Sequence, residues 1–95
     1  MAEQTEVSDW KQLFRAWPAD MPRRGIVITS WNEQIPFDGF LTNAGFLLVC
    51  RPTPDTLGSR MLILPFEQLA GVKLTDVVRA RVFQPLGFTG TLPTR

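Results

Sequence analysis

The sequence predicts a mainly β domain with a flanking helix. An N-terminal amphipathic helix is followed by a five-stranded, strongly bent small β-barrel and a short C-terminal appendage. Three observations carry this expectation. Apolar residues recur first at helical spacing and then, after residue 24, at a period of two. The strands read from that second pattern are short. One of them is interrupted by a glycine, Gly39, where a sheet must bend sharply or admit a close backbone.

The helix spans 6–17. Val7, Trp10, Leu13, Phe14 and Trp17 share one stripe, and Lys11, Gln12 and Arg15 lie opposite. Thr5 or Ser8 can cap its start, with Glu6 and Asp9 in the first turn, where the dipole favours acids. Pro18 ends it, because the residue before a proline avoids the helical region. A helix this short is marginal alone, so Trp10 and Trp17 must dock on the rest of the chain or on another copy.

The barrel spans 25–74. Gly25 to Trp31 reads as a β-branched strand, with Ile26 and Ile28 on one face and Val27, Thr29 and Trp31 on the other. Asn32, Glu33 and Gln34 make a polar turn. Ile35, Phe37, Gly39 and Leu41 share a face of the second strand, opposite Asp38 and Thr42. Asn43-Ala44-Gly45 suits a hairpin turn, since Asn and Gly tolerate positive φ. Phe46 to Cys50 is apolar on both faces, as expected of a central strand. A loop follows over 51–59. Met61 to Leu64 forms the fourth strand, stopped by Pro65, and Leu69 to Leu74 forms the fifth after a tight turn.

The appendage and tail span 75–95. Thr75 and Asp76 can cap a helix over Val77 to Phe83. The same run fits a sixth strand, and the helix is preferred.

Composition bounds the rest. Ninety-five residues make one domain, 1–95, and 44% hydrophobic residues are too many for a chain that stays unfolded. Ten basic and nine acidic residues nearly cancel, so no long-range field recommends a polyanionic partner. The single Cys50 has no internal disulfide partner and sits in an apolar strand. That usage, an acidic N-terminus unlike a signal peptide and the absence of a long apolar run predict a soluble cytoplasmic protein with no membrane partner.

The chain holds no His and no Tyr. Imidazole-based nucleophile pairs and imidazole metal ligands are therefore excluded, and one cysteine cannot build a thiolate zinc site. No phosphate-binding or dinucleotide-binding glycine motif is present. Glu33 and Asp38 are the nearest carboxylate pair, and each reads as a solvated turn or strand residue. The expectation is no enzyme, no cofactor and no metal.

From Arg24 to Thr75 the chain resembles the Sm-like (LSm/Hfq-type) small barrels. Phe37-Asp38-Gly39-Phe40-Leu41 is similar to that family's first apolar-x-Gly-x-apolar motif. Ile63-Leu64-Pro65-Phe66-Glu67-Gln68-Leu69-Ala70-Gly71-Val72 is similar to its second motif, and a helix precedes the barrel. Members form rings by pairing the fourth strand of one subunit with the fifth of the next, and they bind single-stranded RNA around the pore. Ala70 and Val72 stand where the family commonly has a basic and a polar residue, and only Asn43 is retained in kind among its base-contacting positions. The resemblance implies fold and self-assembly more than RNA chemistry.

Two functions follow as expectations. The first is a non-catalytic binding or assembly module that forms a homo-oligomer or meets a protein partner. Met61, Ile63, Leu69 and Val72 on the edge strands, with Trp10 and Trp17 on the helix, would make the contacts. Ten large rings in so small a chain favour it, because they are hard to hide in one copy. The alternative binds single-stranded RNA with Asn43, Phe40, Arg23, Arg24, Arg51 and Arg60, with Phe40 and Trp31 on the outer face. A small-molecule site between helix and barrel is a third class, to which no polar constellation points.

Overall fold

In the computed structural model, which describes residues 9–93, the first apolar stripe folds as α1, Asp9–Arg15. The expected start of this helix, with Val7 and its caps, lies outside the described residues. Past Arg15 the chain tightens, and the Trp17 N–H donates to the Phe14 carbonyl (3.4 Å). The Trp17 indole Nε1 then donates to the carbonyls of Met21 (3.1 Å) and Pro22 (3.2 Å). One buried ring thereby fixes the path of the linker that leads into the sheets.

Six strands follow: β1 (Gly25–Thr29), β2 (Gln34–Phe37), β3 (Gly39–Thr42), β4 (Phe46–Cys50), β5 (Met61–Pro65) and β6 (Leu69–Lys73). Hydrogen bonding defines two antiparallel three-stranded sheets, in the orders β2-β1-β6 and β3-β4-β5, rather than a closed barrel. The expected second strand is thus two strands. Gly25 pairs with Phe37 in the first sheet, Gly39 pairs with Cys50 in the second, and Asp38 between them donates its N–H to the Cys50 carbonyl (2.9 Å). The chain changes sheets at this corner and the inside–outside alternation slips by one residue. Ile35 and Phe37 are buried, Phe40 is buried next, and Leu41 faces out at 64% exposure. Leu41 therefore does not share the face of Ile35 and Phe37, and Phe40 is not an outer-face residue.

The second corner is the 3₁₀ turn Phe66–Gln68 between β5 and β6. Pro65 closes β5 opposite Phe46, at an extended backbone angle that proline adopts freely. In β6 the register against β1 shifts between Ile28 and Thr29, where Ala70 is the additional residue.

Both sheets and α1 enclose one core. Phe14, 1% exposed, stacks on Trp17 at 5.3 Å and meets the Phe40 ring edge-on at 5.0 Å, with Phe37 and Phe66 beyond. Rings of this size bury roughly 150–250 Å² each, so this cluster joins the helix to both sheets. Thr29 is buried, and its hydroxyl accepts the Glu33 N–H (3.0 Å) across the β1–β2 turn.

The C-terminal run departs from the expected helix over 77–83. Val77 is 99% exposed, and the ordered turn is a 3₁₀ segment, Ala80–Leu86. Three residues per turn place Ala80, Phe83 and Leu86 on one side, and Gly87 at φ 96° ends the segment. No helix among the described residues is long and apolar enough to cross a membrane.

Candidate interaction surface

An antiparallel sheet that covers a core on one side ordinarily shows polar residues on the other. The second sheet does not. Alternation along β3, β4 and β5 buries Phe40, Leu47, Val49 and Leu64 beneath it. The side facing out carries Gly39, Leu41, Phe46, Leu48, Cys50, Met61, Ile63 and Pro65, without one polar side chain. Leu41, Leu48 and Ile63 lie side by side across the three strands, since Leu41 pairs with Leu48 and Leu48 with Ile63. Cys50 sits between Gly39 and Met61 in the next row, and Phe46 beside Pro65. Met61 and Ile63 are 58% and 62% exposed.

The first sheet handles its outer side differently. Ile26 and Ile28 are half-buried there, and Lys73 Nζ donates to Gln34 Oε1 (3.0 Å) from one edge strand to the other. An ammonium and an amide give that side a hydrated cover. The apolar side of the second sheet has none among the described residues.

Its size sets what it can do. Three strands about 4.8 Å apart and four or five residues long at about 3.4 Å each make a face of roughly 230 Å². A stable interface needs about 800 Å² from each partner, so stacking of this face alone is insufficient. β5 adds a second resource. Like β3 it is an outer strand of its sheet, among the described residues it is hydrogen-bonded to β4 alone, and a further strand can pair with its free side. β6 is outermost in the first sheet in the same way.

The residues expected to mediate association divide accordingly. Met61 and Ile63 stand on this face. Leu69 and Trp17 are core, Trp10 packs against the core, and Val72 is half-buried in a groove under α1. The sequence pattern did not mark Leu41, Phe46, Leu48 and Cys50 as surface. The signal was present in the doubly apolar β4, which is central within its sheet although only one side of that sheet is covered.

The residues expected to meet RNA are spread, and the side chains of Arg23, Arg24 and Asn43 are already engaged. The Arg23 guanidinium lies 3.7 Å over the Phe40 ring and donates to the Phe40 carbonyl (3.0 Å). Arg24 grips Asp76 with two hydrogen bonds (2.9 and 2.8 Å), which hold the Asp76 carboxyl below its ordinary range. Asn43 Oδ1 accepts the N–H groups of Gly45 (3.0 Å) and Phe46 (2.8 Å), so it builds the β3–β4 turn. Arg51 and Arg60 flank the loop at the other end of β4, where the Arg51 N–H donates to the Arg60 carbonyl (2.7 Å). That loop is organised by Asp55, whose carboxyl is held low by the N–H groups of Ser59 and Leu57. A five-residue strand of about 17 Å separates Asn43 from Arg51, so one nucleotide cannot span both. Glu33 accepts the Trp31 indole N–H (2.9 Å) on an exposed turn.

Comparison of the chain with protein-family models, with curated proteins and with solved structures finds no match.

Proposed function

We propose that this chain is a non-catalytic assembly module built on a small Sm-like barrel, whose copies associate through the second sheet. If β2 and β3 count as one strand bent at Asp38, five strands run in the order β6-β1-β2/β3-β4-β5 around one core. The two ends of that order are β5 and β6, each with one free side among the described residues. Pairing β5 of one copy with β6 of the next continues each sheet into its neighbour. It also brings the next copy against Met61 and Ile63.

The observation that carries this reading is the outer side of β3-β4-β5, apolar at every position beside a free edge. A face of that size alone is within what a monomer exposes, and it is the uncharged free edge beside it that favours a second copy. Edge strands that stay unpaired are ordinarily guarded by charge, and β5 carries none.

The test is sedimentation velocity of the full chain and of its Ile63→Lys variant at micromolar concentration. Ile63 is exposed, so a lysine there leaves the monomer's core intact and guards the edge. The reading expects assembly in the wild type and a monomer in the variant, with matching thermal unfolding of the monomeric fold. A wild type that sediments as a single copy overturns it.

A further inference from the structure

A second feature lies away from that sheet. α1, the end of β6 and the C-terminal 3₁₀ segment with the residues after it enclose a groove of about 510 Å³. Trp10, Leu13 and Trp17 form one wall, Val72 and Leu74 the floor, and Phe83, Leu86 and Phe88 the opposite wall. We propose that this groove is a binding site for a small, neutral, largely apolar molecule with a hydrogen-bonding group at one end.

Volume and lining together fit one class of occupant. Small-molecule sites run from about 300 to 1,000 Å³ and are mostly apolar with a few placed polar groups, and this groove falls within that range.

Charge decides the ligand's chemistry. Among the described lining residues none is ionisable, so a charged ligand would lose its hydration with no counter-charge to meet it. Asp9 borders a neighbouring, smaller cavity that shares Trp10, Leu13, Leu86 and Phe88 with this one, and does not line the groove itself. The polar side chains in the lining, Gln84, Thr89 and Thr91, all belong to the C-terminal segment. They set the end at which the ligand's hydrogen-bonding group lies, and the indoles of Trp10 and Trp17 flank its apolar body.

The test uses the full chain and N-phenyl-1-naphthylamine, a neutral amine of two aromatic units, with the sulfonated anilinonaphthalene as its anionic counterpart. Tryptophan is excited and probe emission is read, so the signal reports probes near Trp10 and Trp17. The expected result is saturable 1:1 binding of the neutral probe, with the sulfonate about tenfold weaker or worse. Phe88→Glu and Leu13→Lys each weaken the neutral probe about tenfold, and Phe88 is exposed enough for the first variant to fold normally. Ile63→Lys leaves binding unchanged, which separates this site from the proposed assembly surface. Absence of a saturable signal, equal affinity for both probes, or binding unmoved by both groove variants overturns the proposal.

Discussion

Two glycines make opposite predictions. Gly25 begins β1, and a methyl group on its Cα would collide with the backbone carbonyl of Lys73 in β6 and touch the Phe37 ring at 3.5 Å. A carbonyl held in a sheet cannot move aside as a side-chain end can. Gly39, at the sheet corner, has nothing within 4 Å of that methyl position. Overpacking of this kind costs about 1–3 kcal/mol, and the lost freedom of the unfolded chain returns about 0.4–1 kcal/mol. Gly25→Ala is therefore expected to destabilise by about 1–2 kcal/mol, and Gly39→Ala to be neutral or stabilising. For a domain of this size each kcal/mol moves Tm by about 4–8 °C, so the two variants should differ by roughly 10 °C. Thermal unfolding followed by tryptophan fluorescence measures both. A Gly25→Ala protein as stable as wild type, or a Gly39→Ala protein equally damaged, refutes this packing around the two glycines.

Other perturbations follow from the same geometry. Phe14→Ala empties the centre of the aromatic cluster and should cost about 3–5 kcal/mol, a large part of the roughly 5–15 kcal/mol such domains possess, read as a lower urea midpoint. Asn43→Ala removes the acceptor of two turn N–H groups and should cost about 1–2 kcal/mol in the same assay. The carboxyls of Asp76 and Asp55 are held below the ordinary value of 3.8, by Arg24 and by loop N–H groups respectively. Their stabilisation is complete above that value and disappears as pH falls through their lowered values in the folded protein. The Asp55→Asn/Asp76→Asn double variant should therefore lose less stability than wild type between about pH 5 and pH 3, measured as urea midpoints. If copies cover the second sheet, alkylation of Cys50 should slow as protein concentration rises from nanomolar to micromolar.

Much of the fold was legible in the sequence because the patterns were local. The helical stripe around Phe14, the alternation in β1 and the location of the turn at Asn43 each declare themselves within a few residues. Asn43 and Gly45 do not take the expected positive φ, however, and the Asn43 side-chain oxygen makes the turn instead. What escaped was set by partners distant in the chain. Nothing near Asp38 announces that its N–H will be taken by Cys50. That bond makes the strand leave one sheet for the other, and the slip of one residue sends Leu41 outward and Phe40 inward. Gly39 attracted notice as a hinge, whereas the glycine under steric demand is Gly25, whose neighbour Lys73 lies far along the chain. Over Val77 to Phe83 the apolar residues also fit helical spacing. The groove instead selects the three-residue period of Ala80, Phe83 and Leu86. Among candidate site residues, exposure of Met61 and Ile63 followed from edge-strand reasoning. The rest of their face was hidden by the assumption that a doubly apolar strand is covered on both sides.

The claim on which the functional reading rests is that the bare side of β3-β4-β5 is occupied in solution by another copy. The most direct measurement is the native mass of the purified, nuclease-treated chain at micromolar concentration. Multiples of 10.7 kDa that collapse to one copy in Ile63→Lys are the expected result. A single 10.7 kDa species in the wild type contradicts it.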